Sequence, residues 1–255
     1  MNYCLTFTSR IRYFITSDRI IAHMRVLIVA ATSFEIRLLK DSLTLLEPEQ
    51  QHLTQYIFQN THVDVLIPGI GIMVTAFHLG NLLSKNSYDC AINAGIAGAY
   101  TFDLSIGEVV EVVRENIPEM GVQEEDRFVS IQELGFTHSE QFPLTSMHLE
   151  NTIPMNSPAL NRLRKTTGNT IHTLHTEQGV IKQLLHRSPA DIETMEGASF
   201  LFGCLRKGIP NVQIRTISNY VGERDKTRWN VALAVKNLNE VLFRLMEELN
   251  EGMRE

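Results

Sequence analysis

Residues 191–222 read DIETMEGASFLFGCLRKGIPNVQIRTISNYVG, which sets a Met195–Glu196 pair and a Ser218–Asn219 pair at the C-terminal ends of two successive strands joined by one helix. Ligands bind at such strand ends in open α/β sheets. GASFLFGCLRKG has apolar positions at helical spacing, Gly208–Ile209–Pro210 stops it, and VQIRTIS follows as a buried strand. The pattern therefore brings Glu196 near Asn219. A carboxylate accepts from hydroxyls, and an amide pairs with a donor and an acceptor together. A nucleoside meets that description.

Three further places carry chemistry or its structural rival. Glu35, in Thr32–Ser33–Phe34–Glu35 after the first strand, is either a reactive carboxylate or the Glu of a capping box reaching back to the backbone. Gly69–Ile70–Gly71 opens a helix, where the Gly71 N–H and the positive helix end suit an anion or a hydroxyl, or where two glycines only shape a turn. Asn93–Ala94–Gly95–Ile96–Ala97–Gly98–Ala99 ends a strand in small residues. Ala97 and Gly98 allow a flat ligand close approach, or equally allow tight helix packing. Glu196 itself could simply complement the dipole of its helix, and Asn219 could be a turn residue in NYVGERD.

These residues need a scaffold, and from Met24 onward short near-continuous apolar runs alternate with longer amphipathic ones. MRVLIVAA, FEIRLLKDSLTLL, VDVLIPG, IMVTAFHLGNLLS and YDCAINAG follow in order. That is the βαβ signature of a largely parallel sheet. SIGEVVEVV reads as a further strand and GNTIHTLHT as another, and residues 114–168 between them are expected to carry loops over one sheet edge. WNVALAVKNLNEVLFRLMEEL reads as an amphipathic helix packing on the sheet.

With 255 residues, 44% of them hydrophobic, the chain has ample material for one large core, expected over residues 24–255. The first 23 residues lack a continuous apolar stretch and a small-residue cleavage site, so they read as an extension, not a signal peptide. A net charge of −6 without a Lys/Arg cluster argues against nucleic acid as a partner. No run approaches the roughly 18 apolar residues of a membrane span, so no membrane partner is expected. Cys4, Cys90 and Cys204 are too scattered for a disulfide framework, which favours a reducing cytoplasm. His172 and His175 have no further ligand at metal spacing and read as loop histidines, so no metal is expected.

Taken in order, the strand followed by Glu35, the GIG turn, NAGIAGA, the GEVV strand, TMEGASF and RTISNYVG resemble the nucleoside phosphorylase and nucleosidase superfamily. The resemblance covers nearly all of residues 24–250 and is poorest over 114–168. SNYVGERD and DRFVSIQELGF resemble most a hydrolase subgroup that releases hypoxanthine. The resemblance implies a three-layer αβα sandwich around a twisted mixed central sheet. It also implies a homodimer or higher homo-oligomer, a small-molecule nucleoside substrate, and no metal or organic cofactor. It makes Glu35 the acid/base residue that activates water, and gives Met195 and Glu196 the ribose. Gly71, Ala97 and Gly98 are expected to line the substrate.

Asn219 departs from the Asp found in nucleosidases for adenine-containing thioethers. Its N–H donor and carbonyl acceptor match the 6-oxo acceptor and protonated N7 of hypoxanthine. Asn219 cannot titrate, so the departing base takes its proton from water or another group. Ile72–Met73–Val74–Thr75 is too apolar for a phosphate site, and Arg37 points away from Glu35 on its helix, so water is the expected nucleophile. Phe34, Phe136 and residues 172–180 are candidates to stack on the base. A methylthioadenosine/S-adenosylhomocysteine nucleosidase, a purine nucleoside phosphorylase and a non-catalytic nucleoside-binding module remain open alternatives.

Overall fold

A computed structural model describes residues 13–16, 19–22, 24–48, 51–125, 127–136, 140–223 and 225–251. The expected extension over residues 1–23 lies outside them, apart from two strands, Tyr13–Thr16 and Arg19–Ala22, that pair with each other. At the centre of the fold is β1 (Arg25–Val29), whose RVLIV is buried on both faces. A strand covered on both sides needs a continuous apolar run, not an alternating one. It pairs in parallel with β3 (Thr61–Leu66) and β4 (Cys90–Ala99), and β2 (Leu53–Phe58) joins β3 antiparallel.

The sheet is covered by helices on both faces. Side chains alternate along β1, so Leu27 and Val29 meet Leu79, Leu82 and Leu83 of α1 (Ile72–Lys85) and Phe200 and Cys204 of a later helix. Val26 and Ile28 face the other way, into Leu238, Leu242, Leu245 and Met246 of the C-terminal helix. The three-layer αβα arrangement with a mixed sheet is the one expected. No described helix is long and apolar enough to cross a membrane.

Beyond β4 the sheet closes on itself. β5 (Val109–Asn116) runs parallel to β6 (Arg164–Thr170), and β6 runs parallel to β7 (Ile192–Thr194). β7 then pairs antiparallel with the end of β4. After α2 (Gln178–Arg187), which lies between β6 and β7, and α3 (Gly197–Lys207), β8 (Asn211–Tyr220) inserts between β4 and β5. Strands β4, β8, β5, β6 and β7 thus form a closed circuit, and β4 contributes its C-terminal half to it. The last helix, α4 (Val231–Glu251), starts at Asn230, whose side chain accepts from the Leu233 N–H at 3.1 Å.

Three expected elements differ. The helix read over FEIRLLKDSLTLL is helical only at Arg37–Lys40. Asp41–Ser42 turns the chain, and Thr44–Leu45 pairs with β2 instead, so strand pairing captures residues that helical periodicity claimed. The strand read over GNTIHTLHT begins earlier, at Arg164, and ends at Thr170. Its ladder to β5 and β7 stops there, and the His172 N–H turns away to the Glu119 carboxylate. Within 114–168, short strands at 140–141, 144–145 and His148–Glu150 extend the sheet at the β5 edge, where loops alone were expected.

Candidate active site

The small residues at the end of β4 let side chains from four other segments close over its backbone. At Gly95, an added Cβ would stand 2.9 Å from Glu35 Oε1 and 3.3 Å from the Arg215 guanidinium. Only a residue without a side chain lets both groups lie on the strand. Glu35 is buried, and its two oxygens make separate contacts. Oε2 accepts from the Thr32 N–H at 2.9 Å and the Thr32 hydroxyl at 3.1 Å, which is the reach-back of a capping box. The helix itself, however, starts after Ile36. Oε1 crosses to β4 and accepts from the Ile96 N–H at 3.2 Å. The Asn239 side chain of α4 fixes the loop from below, donating to the Glu35 carbonyl at 2.7 Å and accepting from the Leu39 N–H at 2.9 Å.

Glu196 reaches the same end of β4 from the other side. It is the N-cap residue of α3, yet its side chain does not cap that helix. Its Oε1 accepts from the Gly71 N–H at 2.8 Å instead. Gly71 has φ +107°, a backbone that favours glycine and aims its N–H at the carboxylate. The GIG turn and Glu196 thus form one unit, and the dipole reading of Glu196 gives way to a tertiary one. Burial raises the Glu196 pKa, opposed by Arg215 and by the Gly71 N–H, while Glu35 raises it further. Met195, partly exposed, precedes it at the rim.

Asn219 lies nearer the C-terminal end of the same strand. A bulge in β8 between Ile217 and Asn219 shifts the register so that Asn219 lies opposite Gly98. Bulges re-aim side chains in this way. A Cβ at Gly98 would meet Asn219 Nδ2 at 3.3 Å. The Ser218 hydroxyl donates to Asn219 Oδ1 at 2.8 Å, and Asn219 Nδ2 donates to the Tyr220 carbonyl at 3.2 Å. The amide is thereby oriented while keeping one N–H and one lone pair free. Buried Ala97 lies alongside, its carbonyl accepting from Ser218 Oγ at 3.2 Å.

The phosphorylase superfamily, as a sequence family, matches residues 25–249 of this chain. The chain belongs to that superfamily. Futalosine hydrolase of Thermus thermophilus is 29% identical over 191 residues, covering 71% of this chain and 79% of that protein. A 5′-methylthioadenosine/S-adenosylhomocysteine nucleosidase of Desulfotalea psychrophila is 28% identical, covering 90% of this chain and 100% of that protein. Among solved structures, the nucleosidase of the same kind from Colwellia psychrerythraea, in complex with adenine, aligns with a TM-score of 0.73. It is 19% identical and covers 90% of this chain and 97% of that one. Native futalosine hydrolase of Helicobacter pylori aligns with a TM-score of 0.71 at 17% identity, over 88% and 98% of the two chains. These superpositions establish a shared fold.

Within this superfamily member, sequence reasoning missed Arg215. It stands inside β8 and is fully buried, donating to Asn93 Oδ1 and to the Ile214 carbonyl. It lies against Glu35 over Gly95 and acts on both Glu196 and Glu115. Glu115 is itself wholly buried among Thr170, Thr194 and Gln213, which donate to it. A charged residue inside an apolar run such as VQIRTIS was the available signal, since buried Arg is found paired. The Phe34 ring is covered by the Arg37 guanidinium at 4.2 Å, and Phe136 is 80% exposed. His172 and His175 meet Glu119.

Proposed function

We propose that this protein hydrolyses the N-glycosidic bond of a 6-oxopurine nucleoside, and that futalosine, which gives up hypoxanthine, is its substrate. The coarse class is plain: the chain is a nucleosidase of the phosphorylase superfamily. The observation that carries the finer reading is the oriented Asn219 amide opposite Gly98. Its free N–H suits the 6-oxo group, and its free lone pair accepts from N7 once that atom is protonated. Three relatives named futalosine hydrolase, at 24–29% identity, support the same choice.

Loss of a purine leaves the sugar oxocarbenium-like, so the enzyme must stabilise positive charge at C1′ and deliver a nucleophile. Glu35, held by Thr32 and Ile96, serves as the base that takes a proton from water. Glu196 accepts from the ribose hydroxyls, with Met195 packing on the sugar. Gly71, Ala97 and Gly98 let the ligand lie against the backbone. Arg215 keeps the two carboxylates from repelling each other out of place. Water is favoured over phosphate because Arg215 is already committed to Asn93, the Ile214 carbonyl and its carboxylate neighbours. Among the described residues, a phosphate would find no uncompensated cation there.

The test is to incubate the purified protein with futalosine, inosine and methylthioadenosine, each with and without phosphate, and to separate free bases by chromatography. Hypoxanthine released from futalosine without phosphate is the expected result. Adenine release would overturn the role given to Asn219, and a phosphate requirement would make the enzyme a phosphorylase.

A further inference from the structure

We propose that Glu193 is the general acid of this reaction, delivering to the departing 6-oxopurine the proton that Asn219 cannot supply. The inference rests on the nucleosidase reading above and assigns the partner that its leaving group requires.

The geometry comes from strand register. Gly98 pairs with Glu193 of β7 on one side and with Asn219 of β8 on the other. A Cβ on Gly98 would stand 3.1 Å from Glu193 Oε1 and 3.3 Å from Asn219 Nδ2. The carboxyl and the amide therefore converge on the same face of β4, over a residue that puts no side chain between them. Glu193 is buried, and among the described residues its neighbours supply no cation. The groups that act on it are the Tyr100 hydroxyl just beyond β4 and the Glu119 carboxylate in the segment after β5. Glu119 in turn faces His175, the His172 N–H and Arg187. Tyr100 Oη is buried and has no well-formed hydrogen bond of its own.

This is an unusual place for an acid. Glu35 and Glu196 share Arg215, and Glu111 is paired with Lys165. Among the described residues Glu193 has no such counterion, and burial, helped by Glu119, pushes its carboxyl up to about 7 against the opposing effect of the nearby Tyr100 hydroxyl. A proton donor works best when it titrates near the working pH.

The proton balance closes without any further reactant. As the C1′–N9 bond breaks, its electron pair passes into the purine, and the Glu193 carboxyl gives its proton to N7, directly or through one water. Asn219 Oδ1 then accepts from the new N–H. The attacking water adds its oxygen to C1′ and its proton to Glu35. Glu35 releases that proton to solvent, and Glu193 takes one up.

The experiment compares wild type with Glu193→Gln on two substrates. One is the purine nucleoside; the other is a para-nitrophenyl riboside, whose phenolate leaves without a proton. For the purine, wild-type kcat should fall as pH rises through about 7. Glu193→Gln should lower kcat about 100-fold, erase that limb and leave KM within about threefold. On the nitrophenyl riboside it should stay within about threefold of wild type. Equal losses on both substrates would show a structural role and overturn the proposal, as would an unchanged rate and pH profile on the purine. A wild-type enzyme that releases no purine from futalosine or inosine would instead overturn the function on which the acid depends.

Discussion

The two ends of the β4 strand terminus face opposite electrostatic problems. At Gly95, Glu35 lies beside the buried Arg215 guanidinium, which also acts on Glu196, and the backbone N–H groups of Ile96 and Gly71 donate to the two carboxylates. At Gly98, Asn219 and Glu193 converge with no cation among the described residues. Three positions along one strand separate carboxylates that feel a guanidinium from one with no cation among the described residues. Where charge is balanced, a carboxylate can remain an acceptor beside a developing cation. Where it is not, the carboxyl holds its proton and becomes a donor. Glycosidic cleavage needs one of each.

The strongest way to break this comparison is at the balanced end. Glu35→Gln is expected to lower kcat about 10³-fold, with hypoxanthine affinity by calorimetry little changed. Unchanged turnover would remove Glu35 from the chemistry. Gly95→Ala introduces a methyl 2.9 Å from Glu35 Oε1, and a misplaced base should cost about 10–100-fold in kcat. A normal melting temperature alongside that loss would confirm displacement, whereas full activity would show that the contact relaxes freely.

At the other end the effects are finer. Asn219→Asp should move the ratio of kcat/KM for adenine over hypoxanthine nucleosides by about tenfold, measured with paired substrates. A constant ratio would take base choice away from this residue. Glu193→Gln should also change stability. A folded-state pKa of about 7 lies above the ordinary carboxyl value, so folding favours the protonated form. That contribution is complete below the unfolded pKa and is lost as pH rises through about 7. Calorimetric melting should therefore show Glu193→Gln gaining several degrees over wild type at alkaline pH and little at acid pH. Glu196 and Glu115, also raised by burial, leave a residual slope in both proteins.

Much of this was legible in the sequence because strand ends are marked by composition. RVLIV, the small residues after Asn93 and the helix between Glu196 and Pro210 each announce themselves by periodicity or by glycine. Glu35 was ambiguous in the sequence for a physical reason: one carboxylate has two oxygens, and the fold uses one for the turn and the other for the sheet. Arg215 and Glu193 were overlooked because period-two alternation reads them as outward-facing polar residues, and their partners are brought in by register, which a single sequence does not display. The helix read after Glu35 failed because amphipathic spacing cannot register a competing strand, Leu53–Phe58, that takes Thr44–Leu45 into its ladder.

Asn239 ties the Glu35 loop to a helix 204 positions further along the chain. During synthesis, Glu35 leaves the ribosome long before that clasp exists. Its loop lacks that tie until the last helix has emerged and docked. A chain that ends before the last helix keeps the Thr32 and Ile96 contacts of Glu35 but not the Asn239 clasp beneath them.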